Sequence, residues 1–224
     1  MKVSVIIPAL DEEAALPATL ACCLGHAHEV IVADGQSDDA TAKVAEGMGA
    51  QVLSCPRGRG RQQHAGALAS SGGVLLFLHA DTLLPEGWHA KVEEALSRPG
   101  SRWGCFWLGI SPSSRRLSLV AAGANLRTRL FALPYGDQAL FVRREDYFAA
   151  GGFSSLPLME DVDLALRLRR DGGFSPARGR VLTSARRWAA RGAALQTLEN
   201  YARLARFLWS GNAGGPDPSY PHVR

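Results

Sequence analysis

Four short acidic clusters punctuate this chain. They are Asp11-Glu12-Glu13 after VSVIIPAL, Asp34 with Asp38 and Asp39 after EVIVA, Asp81 in LLFLHADT, and Glu160-Asp161 with Asp163 in LMEDVDL. The first three follow apolar runs that read as buried strands. Carboxylates collected at the carboxyl ends of parallel strands make a site for a hard cation and a phosphorylated ligand.

Each cluster has a functional and a purely structural explanation. Asp34, followed by Gly35-Gln36-Ser37-Asp38, can accept hydrogen bonds from a base edge or a ribose, and the same residues also build an ordinary capped turn. Asp81 is a natural ligand for Mg²⁺ or Mn²⁺, and equally a residue that caps the next turn. His79, two positions earlier, reads as a packed histidine rather than a ligand. Glu160 and Asp161 open a helix whose dipole favours acids, and an acid there can serve as a base. The run Arg57, Arg59, Arg61, broken by Gly58 and Gly60, reads either as a diphosphate clamp or as a solvated loop.

The elements that must position these groups follow from periodicity. Residues 3–9 are continuously apolar, as in a strand buried on both faces. Leu16, Leu20, Cys23 and Leu24 recur at helical spacing, with Pro17 tolerated in the first turn. Strands are expected at 29–33, 51–54 and 74–79, and helices through Met48, at 61–70 and at 85–96. Ser37 and Asp38 are the expected caps of the helix through Met48. Four strand–helix alternations in a hundred residues predict an open, mostly parallel α/β sheet that binds ligands beyond its carboxyl edge. Past residue 100 the alternation stops. Strands are expected at 103–110, 138–142 and 174–182, and helices at 115–130, 161–170 and 193–209. With no linker in sight, residues 1–210 read as one domain, its halves meeting near residue 100, with 211–224 as a tail.

Composition narrows the class. The chain has 224 residues, 46% hydrophobic, enough for a full core. No signal peptide or membrane-spanning run stands out. Cys22, Cys23, Cys55 and Cys105 lack CxxC spacing and read as buried thiols of a reducing cytoplasm. From position 178 onward eight arginines oppose Glu199 and Asp217, a net +6 on a chain totalling +4, so the preceding part is about −2. A basic end suggests an anionic partner. No nucleic-acid motif accompanies it.

Taken together and in order, VSVIIPALDEEAAL, VADGQSDDAT, LLFLHADT, YGDQALFVRR, GGFSSLPLMEDVDLALRLRRDG and SARRW resemble the family 2 glycosyltransferases of the GT-A fold. LHADT, YGDQ and SARRW resemble more closely the bacterial radical-SAM/selenodomain-associated transferases. The resemblance implies a cytoplasmic enzyme moving a sugar from a nucleoside-diphosphate donor to an acceptor hydroxyl with a divalent metal. It implies that backbone from Pro8, Ala9 and Leu10, with Asp11 and Glu12, lines the nucleoside pocket beside Asp34. Asp81, preceded by Ala80, would hold the metal as the last acid of a D-x-D. Asp161 would be the general base, with Asp137, Gln138, Glu160 and Trp188 on the sugar or acceptor side. Arg187 and the basic run through Arg61 would meet the diphosphate. His79 stands at the first D-x-D position, which gives the metal fewer acidic contacts; Ser184 stands where Q-x-x-R-W has Gln and no membrane span stands out, which speaks against processive polymer synthesis. One base opposite the leaving group implies inversion. A sugar-phosphate nucleotidyltransferase would need a basic, Gly-rich loop after the first strand, where this chain has PALDEEAAL. An inactive nucleotide-sugar binder of the same fold is the other alternative. In the terminal helix, Leu195, Leu198, Ala202, Ala205 and Trp209 form the expected apolar stripe. It is read first as packing on the body and second as peripheral contact with the inner membrane face, with Arg203 and Arg206 toward headgroups.

Overall fold

The computed structural model describes residues 1–186, 188 and 193–210. Its centre is a six-stranded sheet built on β1 (Val3–Ala9), flanked by β2 (Glu29–Asp34) and β3 (Gln51–Ser54) on one side and β4 (Val74–Phe77) on the other. These four run parallel, with Ala9 opposite Asp34 and Asp34 opposite Ser54, so the acids end in register at one edge. Two short later strands extend the sheet: β6 (Trp103–Gly104) and β8 (Phe141–Arg143) complete the order β3-β2-β1-β4-β8-β6, with β8 antiparallel to both neighbours.

The apolar run of β1 divides between two cores by strand alternation. Val3, Val5, Ile7 and Ala9 face a cluster with Leu16, Leu20, Trp88 and Phe106. Ile6 faces the opposite cluster, with Phe77, Trp103, Tyr147 and Val162. Helix α1 (Leu16–Cys23) begins with Pro17 in its first turn, as expected, and packs on the first core. Helix α2 (Thr41–Gly47) follows β2. Helix α3 (Arg59–Ala69) lies against the second face, close enough that a Cβ on Gly66 would come within 2.5 Å of Ile6. Helix α4 (Trp88–Leu96) covers the first face.

A second, three-stranded sheet has the order β5-β9-β7, formed by β5 (Thr82–Leu83), β7 (Trp107–Ser111) and β9 (Arg180–Ser184). The single strand expected at 103–110 is therefore two. Cys105 and Phe106 carry the chain from one sheet to the other, and the Phe106 N–H donates to the Gln138 carbonyl. Periodicity alone cannot separate these cases, because alternation continues across the step. The late strand is 180–184, not 174–182; Phe174 makes only an isolated bridge to Trp103. The short helix α6 (Arg144–Ala149) went unforeseen, and β4 stops at Phe77, two residues before His79. Three further helices lie among the described residues: α5 (Arg115–Phe131), α7 (Glu160–Leu168) and α8 (Ala193–Ser210).

Leu204 and Phe207 of α8 pack into the second core. Leu198, Ala202, Ala205 and Trp209, the expected buried stripe, are exposed instead; the side chain of Leu195 lies outside the described residues. No helix among the described residues is long and apolar enough to cross a membrane.

Candidate active site

At the ends of β1 and β2 two acidic turns interlock. The Asp34 carboxylate accepts from the Ser37 hydroxyl at 2.5 Å and from the Ser37 N–H at 3.2 Å. Ser37 Oγ in turn accepts the Asp11 N–H, and Asp11 Oδ1 accepts the Asp38 N–H. Glu13 accepts from the Ala40 N–H, while its own N–H donates to Asp39. Ser37 and Asp38 thus do not cap α2; its N-cap is Ala40, and Asp39, one residue earlier, accepts the Thr41 N–H. Gln62, buried in α3, donates to both the Ala9 and Ala33 carbonyls at 2.8 Å and clamps the two strand ends together. Pro8, Ala9 and Leu10 are buried beside Asp34, which is itself only 5% exposed. Arg57 donates to the Gly35 and Gln36 carbonyls and pairs with Asp38, so it supports this turn. Arg61 is exposed.

Across β1, Asp81 follows β4, and its carbonyl accepts the N–H of Ser184 at the end of β9. That pairing brings Arg186, two residues further on, over the acidic edge. Arg186 Nε lies 3.0 Å from Asp81 Oδ2, and Nη2 binds Glu12 Oε1. Burial works against the guanidinium's charge, but Glu12 and Asp81 outweigh it and hold its pKa above the usual value. Ala80 is buried behind Asp81, where its carbonyl accepts the Thr19 hydroxyl.

A pocket opens beside this cluster, lined by Arg59, His79, Tyr135, Asp137, Asp161 and Trp188 among others. Asp161 stands at the start of α7, where Oδ1 accepts the Val162 N–H at 2.7 Å and Oδ2 accepts the Gly136 N–H at 2.5 Å. Gly136 leaves room for this packing: a Cβ there would sit 2.6 Å from His79 Nε2, so the imidazole would have to shift, and 3.4 Å from Asp161 Oδ2. His79 therefore connects the Asp81 segment to the Asp161 pocket. Glu160, buried, pairs with Arg59 at 3.2 Å and ties the start of α7 to the start of α3. Trp188 forms a wall, and its buried Nε1–H finds no acceptor among the described residues. From α8, Asn200 and Arg203 close the outer side.

Of the expected residues, the structure gathers Asp81 and Glu12 at one cluster, Asp137, Asp161 and Trp188 at the pocket, and Asp11 with Asp34 at the interlocked turns. Gln138 does not face an acceptor. It is fully buried, with Oε1 accepting from Thr128 and the Tyr135 N–H, because its amide stitches the turn to α5. Arg187 lies outside the described residues. The neighbouring Arg186, His79 and Arg203 were missed as site residues; for Arg186 the signal was present in SARRW, but sequence alone does not choose between two adjacent arginines.

The Glycosyl transferase family 2 model matches residues 4–134. The chain belongs to that family. An uncharacterized glycosyltransferase of Mycobacterium tuberculosis is 36% identical over 146 residues, 61% of this chain and 64% of that protein. The dolichyl-phosphate beta-glucosyltransferase of Drosophila melanogaster is 34% identical over 125 residues, 46% of this chain and 38% of that one. The chain thus spans less than two thirds of the length of these relatives. Among solved structures, S. aureus TarS 1–349 has a TM-score of 0.66 at 16% identity, covering 83% of this chain and 61% of that one. Glucosyl-3-phosphoglycerate synthase from Mycobacterium tuberculosis, crystallised with Mn²⁺ and UDP-glucose, has a TM-score of 0.53 at 21% identity, covering 82% and 69%. These likenesses establish the GT-A-like α/β fold.

The donor set near Asp81 has the chemistry of a divalent-cation site. Mg²⁺ and Mn²⁺ sites use one or two carboxylates plus substrate phosphates and water. Asp81 and Glu12 supply two carboxylates bridged by one guanidinium, and Glu12 Oε2 is buried without a hydrogen-bond partner among the described residues. No group of three or more His, Cys, Asp or Glu suited to a metal occurs among those residues. The pair fits a cation that completes its shell with substrate oxygens once Arg186 yields its place.

Proposed function

We propose that this glycosyltransferase moves a sugar from a nucleoside-diphosphate sugar to an acceptor hydroxyl, with inversion. The observation that carries the reading is Asp161: an acid oriented by two backbone N–H groups, in a pocket joined through His79 to the Asp81–Arg186–Glu12 cluster. The donor's nucleoside would lie against the interlocked turns at Asp11 and Asp34, and its diphosphate near Arg186, with Arg187 beside it. Asp81, with Glu12, would hold a divalent cation, which when bound neutralises charge on the diphosphate. Asp161 takes the proton of the acceptor hydroxyl as its oxygen bonds to the anomeric carbon and the bond from that carbon to the diphosphate breaks. Arg186 stabilises the charge left on the diphosphate. Asp137 and the Trp188 N–H would orient sugar or acceptor. The exposed face of α8 would give peripheral membrane contact.

The test is a thermal-shift panel of UDP, GDP, dTDP and CMP with Mn²⁺, Mg²⁺ or EDTA, for the wild type and Asp81→Asn. A ligand at 100 times its Kd adds about 2.7 kcal/mol of stability. Stabilisation by one nucleotide that needs the cation and is lost in Asp81→Asn supports the reading. Equal stabilisation in EDTA and in Asp81→Asn removes the cation from it. A product that keeps the donor's anomeric configuration removes inversion.

A further inference from the structure

Helices α5 and α8 leave a groove between them that the catalytic reading does not use. Gly123, Leu126, Leu130, Tyr201, Leu204 and Leu208 form its wall, Arg127 and Arg169 add the charge, and its volume is about 510 Å³. The apolar surface continues outward. Leu119, Leu126, Leu130 and Phe131 of α5 are more than half exposed, as are Leu198, Leu208 and Trp209 of α8, the last at 94%. Contiguous exposed apolar surface of this kind marks a binding site.

Three observations say what the groove takes. First, it adjoins the Asp161 pocket. The Arg127 guanidinium of the groove stacks on the Tyr135 ring of the pocket at 3.5 Å. One turn of α8 serves both, with Asn200 and Arg203 on the pocket and Tyr201 and Leu204 on the groove. Second, four arginines stand at the junction, Arg127 and Arg169 on the groove and Arg59 and Arg203 on the pocket, where Glu160 and Glu199 pair with the latter two and an anionic head would compete for them. Third, the Tyr135 hydroxyl is buried at this junction with no hydrogen-bond partner among the described residues. Burial raises its pKa, so it remains a donor at neutral pH. An apolar trough that ends in arginines and an unused hydroxyl complements an amphiphile with an anionic head.

We propose that the α5–α8 groove holds the hydrocarbon chain of an anionic amphiphilic acceptor, whose head group lies among Arg59, Arg203 and Tyr135 and presents its hydroxyl to Asp161. This rests on the glycosyl-transfer reading above for the identity of the head group's reaction, but the groove itself is tested without turnover. The hydroxyl's proton passes to Asp161, its oxygen bonds to the anomeric carbon, and the diphosphate leaves with the bonding pair.

The experiment is calorimetric titration of the whole chain with octyl, decyl and dodecyl phosphate below their micelle concentrations, alongside inorganic phosphate and dodecyl maltoside. Affinity should rise about fourfold per added methylene that enters the groove, and dodecyl phosphate should bind more tightly than the uncharged amphiphile. The double variant Leu126→Asp, Leu130→Asp changes two exposed positions and should keep the wild-type melting temperature while flattening the chain-length series. Gly123→Leu, which adds bulk beside Tyr201, should do the same by filling the groove. Arg203→Gln should erase the preference for the phosphate head. A flat series in the wild type, or a steep one that survives both groove variants, overturns the proposal. So does a wild-type dimer that the Leu126→Asp, Leu130→Asp variant converts to monomer, since the face then belongs to a second copy. Nucleoside-diphosphate binding measured on the same samples separates the two readings. Its absence with a steep series intact overturns the donor assignment and leaves the groove.

Discussion

At the scale of single residues the site turns on where each acid's oxygens point. Asp161 spends one lone pair of each oxygen on a backbone N–H, which fixes the carboxylate and leaves the remaining pairs for a substrate proton. Asp161→Asn should therefore leave nucleoside-diphosphate binding nearly intact and reduce turnover by roughly 10² to 10⁴; retained turnover would move the role to Asp137. Gly136→Ala tests the same orientation from the other side. Its Cβ collides with His79 Nε2 at 2.6 Å, so the Gly136 N–H is displaced from Asp161, and activity should fall while the far-UV spectrum stays unchanged. Cys22 is a separate matter. It is half-buried, and a hydrogen bond from Cys23, with the Leu84 N–H adding to it, lowers its pKa to about 7 against the pull of burial. The hydrogen bond with Cys22, and then burial, push Cys23 up, and burial pushes Cys55 and Cys105 up. Iodoacetamide should label Cys22 first, with half-maximal rate near pH 7. Uniform labelling of all four cysteines would show that the helix end is open. Asp81 and Asp161 were legible in sequence because each sits where an element must begin or end. Gln138 was not, because nothing in YGDQ says which of two adjacent polar residues turns inward.

At the scale of elements, the four parallel strands of the first half could be read because a helix separates each from the next; the two-residue β5 between β4 and α4 could not. The second half could not, because its strands are two to five residues long and change sheets. The misread face of α8 has the same kind of cause. Two stripes satisfied helical spacing, and the second core received Leu204 and Phe207 while leaving the more regular one outside. Tertiary packing decided between faces that periodicity left equal. Gln62 shows how an element can position a site without touching a ligand. Its amide crosses from α3 to the ends of β1 and β2, and holds the strand ends from which both acidic turns depart. Gln62→Leu keeps the volume but removes a donor from two buried carbonyls, of which that of Ala9 keeps the Gly35 N–H. It should cost about 1–3 kcal/mol, seen as a lower denaturation midpoint. It should also weaken nucleotide binding more than Leu substitution at Gln63, whose amide reaches only the Arg59 carbonyl of its own helix.

At the scale of the whole molecule, Arg186 joins what the chain order keeps far apart. It comes from the end of β9 in the small sheet and meets Glu12 after β1 and Asp81 after β4 in the large one. The side chains of Glu12 and Asp81 are only 4% and 5% exposed, so a counter-charge for them comes from the protein or a bound ion rather than from water. Arg186 fills that need in this structure, and a divalent ion on the same oxygens would have to displace it. The competition makes a prediction with a readout independent of turnover. Arg186→Gln removes the guanidinium and keeps much of its reach, so the two acids lose their shared counter-charge. Because Arg186 is itself 42% exposed, water offsets part of the loss, and the cost should be about 1–3 kcal/mol rather than the larger figure for a fully buried pair. In the wild type, Mn²⁺ must evict a bonded arginine before it gains the carboxylates; in the variant it meets them unpaired. Mn²⁺ should therefore raise the melting temperature of Arg186→Gln by more than it raises that of the wild type, and Mg²⁺ should act in the same direction. The added Asp81→Asn change should abolish the difference. Equal shifts in wild type and variant would show that arginine and cation do not share these oxygens, and would leave Arg186 as a strut between the two sheets.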